Sequence, residues 1–152
     1  MTPSATPGPT NRARSAFAVL CAVQGLYCLI TGAWPLVSIE TFQAVTGRKT
    51  DHLVTGREGD HWLVNTVGVL VIANALVLLF AAWRNRPSPE VALLAIGSAV
   101  GLTAIDVTYV VRGVIPPIYL ADAGLEVAYL IAWAWVLART RRGRPADPGD
   151  LT

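Results

Sequence analysis

Residues 62–83 read WLVNTVGVLVIANALVLLFAAW, 22 residues without a charge and with Asn65, Thr66 and Asn74 as their strongly polar side chains. A helix rises about 1.5 Å per residue and the hydrocarbon core of a bilayer is about 30 Å thick, so about 20 apolar residues cross it. Three further stretches meet that length. Ser15–Val37 has no charge and carries Gln24 near its centre; Val91–Val111 contains Asp106; Ile118–Leu137 contains Asp122 and Glu126. The runs are continuous rather than alternating, which is the pattern of helices and not of barrel strands. The expected fold is all-α, a bundle of four transmembrane helices at about 15–37, 62–83, 91–111 and 118–137.

The rest of the composition agrees. Of 152 residues 53% are hydrophobic and 14% charged, where a soluble domain carries about 25% charge. Such a chain is too apolar for intrinsic disorder. Its 12 basic and 10 acidic residues leave +2, too even a balance for a nucleic-acid footprint. A cleaved signal sequence is the rival reading of the first stretch, but signal h-regions span about 7–15 residues and this one is longer. A soluble bundle is the other rival, and it lacks the polar faces its outer helices would need.

Residues 1–12 form an expected unstructured tail, 13–138 the membrane domain, and 139–152 an unstructured basic tail whose arginines would meet anionic headgroups. Arg12, Arg14, Arg84, Arg86, Arg139, Arg141, Arg142 and Arg144 fall on one side; Arg48, Lys49, Arg57 and Arg112 fall on the other. The positive-inside rule then places both termini in the cytoplasm. The expected location is the inner membrane of a bacterium, with lipid as a partner and no nucleic acid. Trp34, Trp62, Trp83, Tyr119 and Trp135 near the span ends fit an aromatic belt.

The loop 38–61 contains a near-tandem duplication. Residues 45–53 read VTGRKTDHL and 54–62 read VTGREGDHW, identical at six of nine positions. Asp60 is placed to cap the second span. The two Asp-His pairs suggest a divalent metal, and the Thr-Gly-Arg turns suggest an anion held by backbone N–H groups. Nine-residue spacing is no established ligand pattern, however, so a solvated polar loop is the favoured reading. No metal site and no cofactor are expected, and no phosphate loop, zincin helix or nucleophile elbow occurs in the chain.

Asp106, Asp122 and Glu126 are the informative residues. A charge at the bilayer centre costs at least about 2.5–3.5 kcal/mol, so such groups usually face the bundle interior or a wet cavity. In the expected orientation all three lie in the outer half. Asp122 and Glu126, spaced i and i+4, share a helical face. The short connection 112–117 makes the third and fourth helices antiparallel neighbours, so the three carboxyls can converge. Asn65, Thr31 and Tyr109 lie at the same level, with Arg112, Arg48 and Lys49 as candidate counter-ions. Close carboxylates cannot all ionise cheaply in low dielectric. Such a cluster suits proton exchange or a grip on a cationic or hydroxylated ligand, against a structural alternative in which Arg112 pairs with Asp106 or Asp122.

Smaller signals complete the reading. Cys21 and Cys28, two turns apart on one helix, are too distant for a disulfide and are expected to pack. Gly97-x-x-x-Gly101 fits the close helix-packing motif. Pro35 is expected to bend or end the first helix. Gln24 and Asn74 near mid-membrane suggest hydrogen bonds between helices.

The segment Phe42-x-x-Val45-Thr46-Gly47-x-Lys49-Thr50-Asp51 with Trp62-Leu63-Val64-x-Thr66-Val67-Gly68 resembles small, uncharacterised bacterial four-span integral membrane proteins. So do Ile105-Asp106-Val107-x-Tyr109-Val110 and Gly113-x-Ile115-x-Pro117-x-Tyr119-Leu120-x-Asp122-Ala123 with Glu126. The likeness covers about residues 17–137. In that group the Lys-Thr-Asp leads almost directly into Trp-Leu-Val, which implies that the second copy of the duplication is an insertion. The resemblance favours Lys49 and Asp51 over Asp60 and His61, and it implies no activity.

The leading functional expectation is a small amphipathic or lipid-like ligand bound in an outward-facing acidic pocket of Asp106, Asp122, Glu126, Asn65 and Tyr109, with Lys49 and Asp51 nearby. A small proton-coupled transporter is the alternative, as a homodimer because four helices enclose little volume. An accessory subunit of a membrane partner protein is a third. An enzyme ranks below these, since no nucleophile, metal set or cofactor motif accompanies the acids.

Overall fold

The computed structural model describes residues 9–47 and 61–142. Among them are five helices and no strand: α1 (Pro9–Val37), α2 (Ile39–Thr46), α3 (His61–Arg84), α4 (Pro89–Val111) and α5 (Tyr119–Arg142). Four of these are long and apolar enough to cross a membrane, and the fold is an all-α bundle. The duplicated loop beyond Gly47, with Lys49, Asp51 and Asp60, lies outside the described residues, as do residues 1–8 and 143–152.

The helix ends follow from local chemistry. Before α4, Ser88 is extended and its Oγ accepts from the Val91 N–H at 3.4 Å, while Pro89 and Glu90 fill the first turn. That is a full set of N-terminal signals: a capping hydroxyl, a proline whose missing N–H costs nothing there, and an acid near the positive end of the helix dipole. Ser38 caps α2 the same way through Thr41, and the segment expected as loop therefore begins with a short helix. Proline is equally harmless in a first turn at Pro9, so α1 starts ahead of the expected Ser15 and takes in residues 9–12 of the expected tail. Likewise α5 runs to Arg142 rather than ending at Leu137. Pro35 sits inside α1 two residues before its end and packs against Gly68.

The four long helices form a ring in chain order. α1 packs along α3 and α4 along α5, while thinner seams of α1 on α5 and of α3 on α4 close the circle. Two hairpins therefore face each other. In the first, the backbones nearly touch: a Cβ on Gly32 would lie 2.8 Å from the Gly68 carbonyl oxygen, and one on Gly68 would lie 2.6 Å from that of Gly32. Glycine is required at both positions. The expected motif at Gly97 and Gly101 does not pack this way. Nothing lies within 4 Å of a Cβ at either position, because a GxxxG face brings helices together only where another small residue meets it at the same depth.

The exterior is as apolar as the core. The core gathers Phe17, Leu20, Cys21, Leu78, Ala95, Trp133 and Val136, together with the polar Gln24, Asp106 and Glu126. Val19, Leu70, Leu93, Val111 and Ile131 are exposed, as are many other large aliphatics around the whole circumference. Soluble monomers rarely expose contiguous apolar patches beyond a few hundred Å², so this exterior fits hydrocarbon. Cys21 and Cys28 are free, buried packing residues, as expected.

Candidate functional site

α5 carries one stripe of Asp122, Glu126, Tyr129 and Trp133, spaced four, three and four residues, which keeps them on a single face of the helix. That stripe turns inward. Glu126 is 1% exposed, and its Oε2 has no hydrogen-bond partner. Asp122, one turn nearer the α4–α5 loop, accepts a hydrogen bond from the Tyr27 hydroxyl of α1. Asp106 reaches the same region from α4 and is 5% exposed. Asp122 and Asp106 are the two acids that bear electrostatically on Glu126. Asp106 of α4 and Glu126 of α5 are thus both buried in the bundle, and Asp122 of α5 meets Tyr27 of α1.

Aromatic rings close the cluster. Tyr129, one turn beyond Glu126, is buried, and its ring centroid lies 6.0 Å from that of Tyr27 at a tilt of 48°. Thr103, one turn from Asp106 on α4, has a buried Oγ1 with no hydrogen-bond partner. Thr31 is engaged elsewhere, since its hydroxyl donates to the Tyr27 carbonyl at 2.9 Å.

Below the acids two interior amides bond between helices. Gln24 is fully buried; its Nε2 donates to the Ala95 carbonyl of α4 at 3.3 Å, and its Oε1 accepts from the Trp133 indole of α5 at 2.8 Å. One side chain therefore ties three helices. Phe17 meets the edge of Trp133 with centroids 5.4 Å apart. Asn74 donates to the Ser98 hydroxyl at 3.1 Å and joins α3 to α4. Both hydrogen bonds between helices expected of Gln24 and Asn74 are present.

The remaining candidates sit differently. Tyr109 is 40% exposed, on the outside of α4, and the Arg112 guanidinium carbon lies 5.9 Å from its ring centroid. Arg112, expected as a counter-ion, thus has an aromatic face beside it. Asn65 is half-buried on α3, with Oδ1 unpartnered. The end of α2 approaches the α4–α5 loop: a Cβ on Gly47, whose φ is +84°, would lie 2.7 Å from Pro116 Cγ. Trp34 Nε1 donates to Thr41 at 3.0 Å and holds α2 to the end of α1.

Comparison with known protein families, with curated proteins and with solved structures gives no match. The chemistry is therefore read from the residues.

Three carboxyls gathered in a low-dielectric interior repel one another, and a buried carboxylate oxygen without a donor loses its solvation with no return. The arrangement is relieved by positive charge, whether a proton or a cationic group. Tyr27, Tyr129 and Trp133 are not among the residues singled out from the sequence. Their signal was spacing: Tyr27 stands with Gln24 and Thr31 on one polar face of α1, and Tyr129 and Trp133 continue the stripe begun by Asp122.

Proposed function

We propose that this chain is a multi-pass membrane protein that binds a small amphipathic or lipid-like ligand through a positively charged group, held by Glu126, Asp122 and Asp106. The observation that carries this reading is Glu126, which is 1% exposed, has an oxygen without a donor, and is flanked by two further acids. Nothing in ordinary folding rewards such a residue; about 2.5–3.5 kcal/mol or more opposes a charge at bilayer depth. The arginine bias favours cytoplasmic termini in a bacterial inner membrane and a site opening to the outer face.

The test is the lipid and small-molecule content of the purified full chain, compared with Asp106→Asn and Glu126→Gln. Loss of a co-purified cationic amphiphile from folded variants supports the reading. Unchanged content with lowered stability would make the acids structural.

A second reading, proton-coupled transport, is favoured by the Tyr27 hydroxyl bonded to Asp122 with Glu126 one turn further, which strings exchangeable protons along one face. Proton flux in proteoliposomes that vanishes with Glu126→Gln supports it, and absence of flux in the unaltered protein rejects it.

A further inference from the structure

We propose that Tyr27 and Tyr129 make the carboxyl cluster selective for a substituted ammonium group, a protonated or quaternary amine on an apolar body. This rests on the reading above and names the class of ligand. Three observations lead to it.

First, Glu126 Oε2 is without a donor and its side chain is 1% exposed, inside the bundle. A group that reaches it sheds its water. Alkyl substitution spreads ammonium charge and lowers the cost of that dehydration, whereas a compact inorganic ion must be resolvated by several oxygens at short range. Second, the acids act on one another electrostatically, yet among the described residues no group of three His, Cys, Asp or Glu side chains is arranged to hold a metal ion. They provide a field and not a coordination shell. Third, two electron-rich rings border that field, with centroids 6.0 Å apart and planes inclined at 48°. Aromatic faces beside carboxylates are the combination that recognises alkylated ammonium, through the ring quadrupole as well as net charge. The Tyr27 hydroxyl is committed to Asp122, which holds its ring in place.

The experiment is isothermal titration of decyltrimethylammonium into the full-length chain in uncharged maltoside micelles, with decyl sulfate, decyl glucoside and potassium chloride as parallel titrants. Saturable binding of the ammonium alone is expected. Tyr129→Leu and Tyr27→Leu each weaken it about tenfold; Tyr129→Phe, which keeps the ring, leaves it within about twofold; Glu126→Gln removes it. Helical circular dichroism checks each fold, and if Tyr129→Leu fails to fold, Tyr27→Leu on half-buried Tyr27 carries the comparison. Ammonium binding that needs Glu126 but ignores both ring deletions overturns the aromatic selectivity and leaves the carboxyl site standing. Potassium binding in place of ammonium does the same. Binding of sulfate or glucoside as tight as ammonium, or no binding of any cation, overturns both readings.

Discussion

The two hairpins of this bundle are built on opposite principles. α1 and α3 meet through Gly32 and Gly68, backbone against backbone, with Gly25 pressed against Ala75 and Leu78. α4 and α5 carry glycines too, at Gly97, Gly101 and Gly124, but a Cβ there would meet no neighbour within 4 Å; beside apolar residues such as Ala95 and Trp133, that pair brings the acids Asp106, Asp122 and Glu126. One hairpin is joined by close packing, which needs no charge and leaves no room. The other keeps its polar groups facing α1 across a thinner seam. In a membrane the hydrophobic effect does not drive helices together, so packing and polar contact are the available means, and here they are assigned to different halves. A set of buried acids is tolerated where the close-packed contacts are not.

The largest effect expected from this division is at the glycine contact. Gly68→Val places a branched side chain where even a Cβ lies 2.6 Å from the opposing backbone, and it should destabilise the bundle by about 3 kcal/mol or more. Gly97→Ala and Gly101→Ala should leave the thermal midpoint of the isolated chain unchanged. Equal losses at all three positions in a detergent melt would erase the distinction between the hairpins.

Removing the Gln24–Trp133 bond is the next effect. Trp133→Phe leaves a buried amide oxygen unmet and should cost about 1–3 kcal/mol. Gln24→Leu should cost a similar amount, and the double variant less than the sum, with a coupling of about 0.6–1.7 kcal/mol. Additive losses would show that the bond does not link the hairpins.

Glu126→Gln works in the opposite direction. It keeps the shape and removes one member of a repelling set, so the thermal midpoint should rise as ligand binding is lost, the trade expected where function retains an unfavourable charge. A fall in midpoint with binding intact would assign Glu126 to structure. The smallest effect is Asn74→Ala. It deletes a single hydrogen bond to Ser98 on the thinner α3–α4 seam and should cost about 0.6 kcal/mol, the average for such bonds within membranes.

Much of the fold was legible in the residues because lipid leaves little choice. A run such as Trp62–Trp83 is long enough to cross and has no other low-energy form, and the acids stood out against it. Gln24 and Asn74 were also legible, since an amide at mid-membrane must find a partner. Which glycines meet was not. Gly97-x-x-x-Gly101 displays the motif within one helix, whereas Gly32 and Gly68 are far apart in the chain and become a pair only when two helices align in depth. The partners of the acids were hidden for a similar reason: tyrosine and tryptophan serve as hydrocarbon, as interfacial anchors and as hydrogen-bond donors, and only the neighbouring helix selects among these. α2 was overlooked because Ser38 and Glu40, a cap and a first-turn acid, stand beside a duplication that reads as loop.

Gln24 has one more consequence, for the azimuth of α1. A rotation by one residue turns a helix by about 100°, which would carry Gln24 away from both Ala95 and Trp133 at once. Its two bonds act as a rotational key that admits one angular setting. One turn along, that setting brings Tyr27 to Asp122. A residue outside the carboxyl cluster therefore sets the compass bearing of one that joins it.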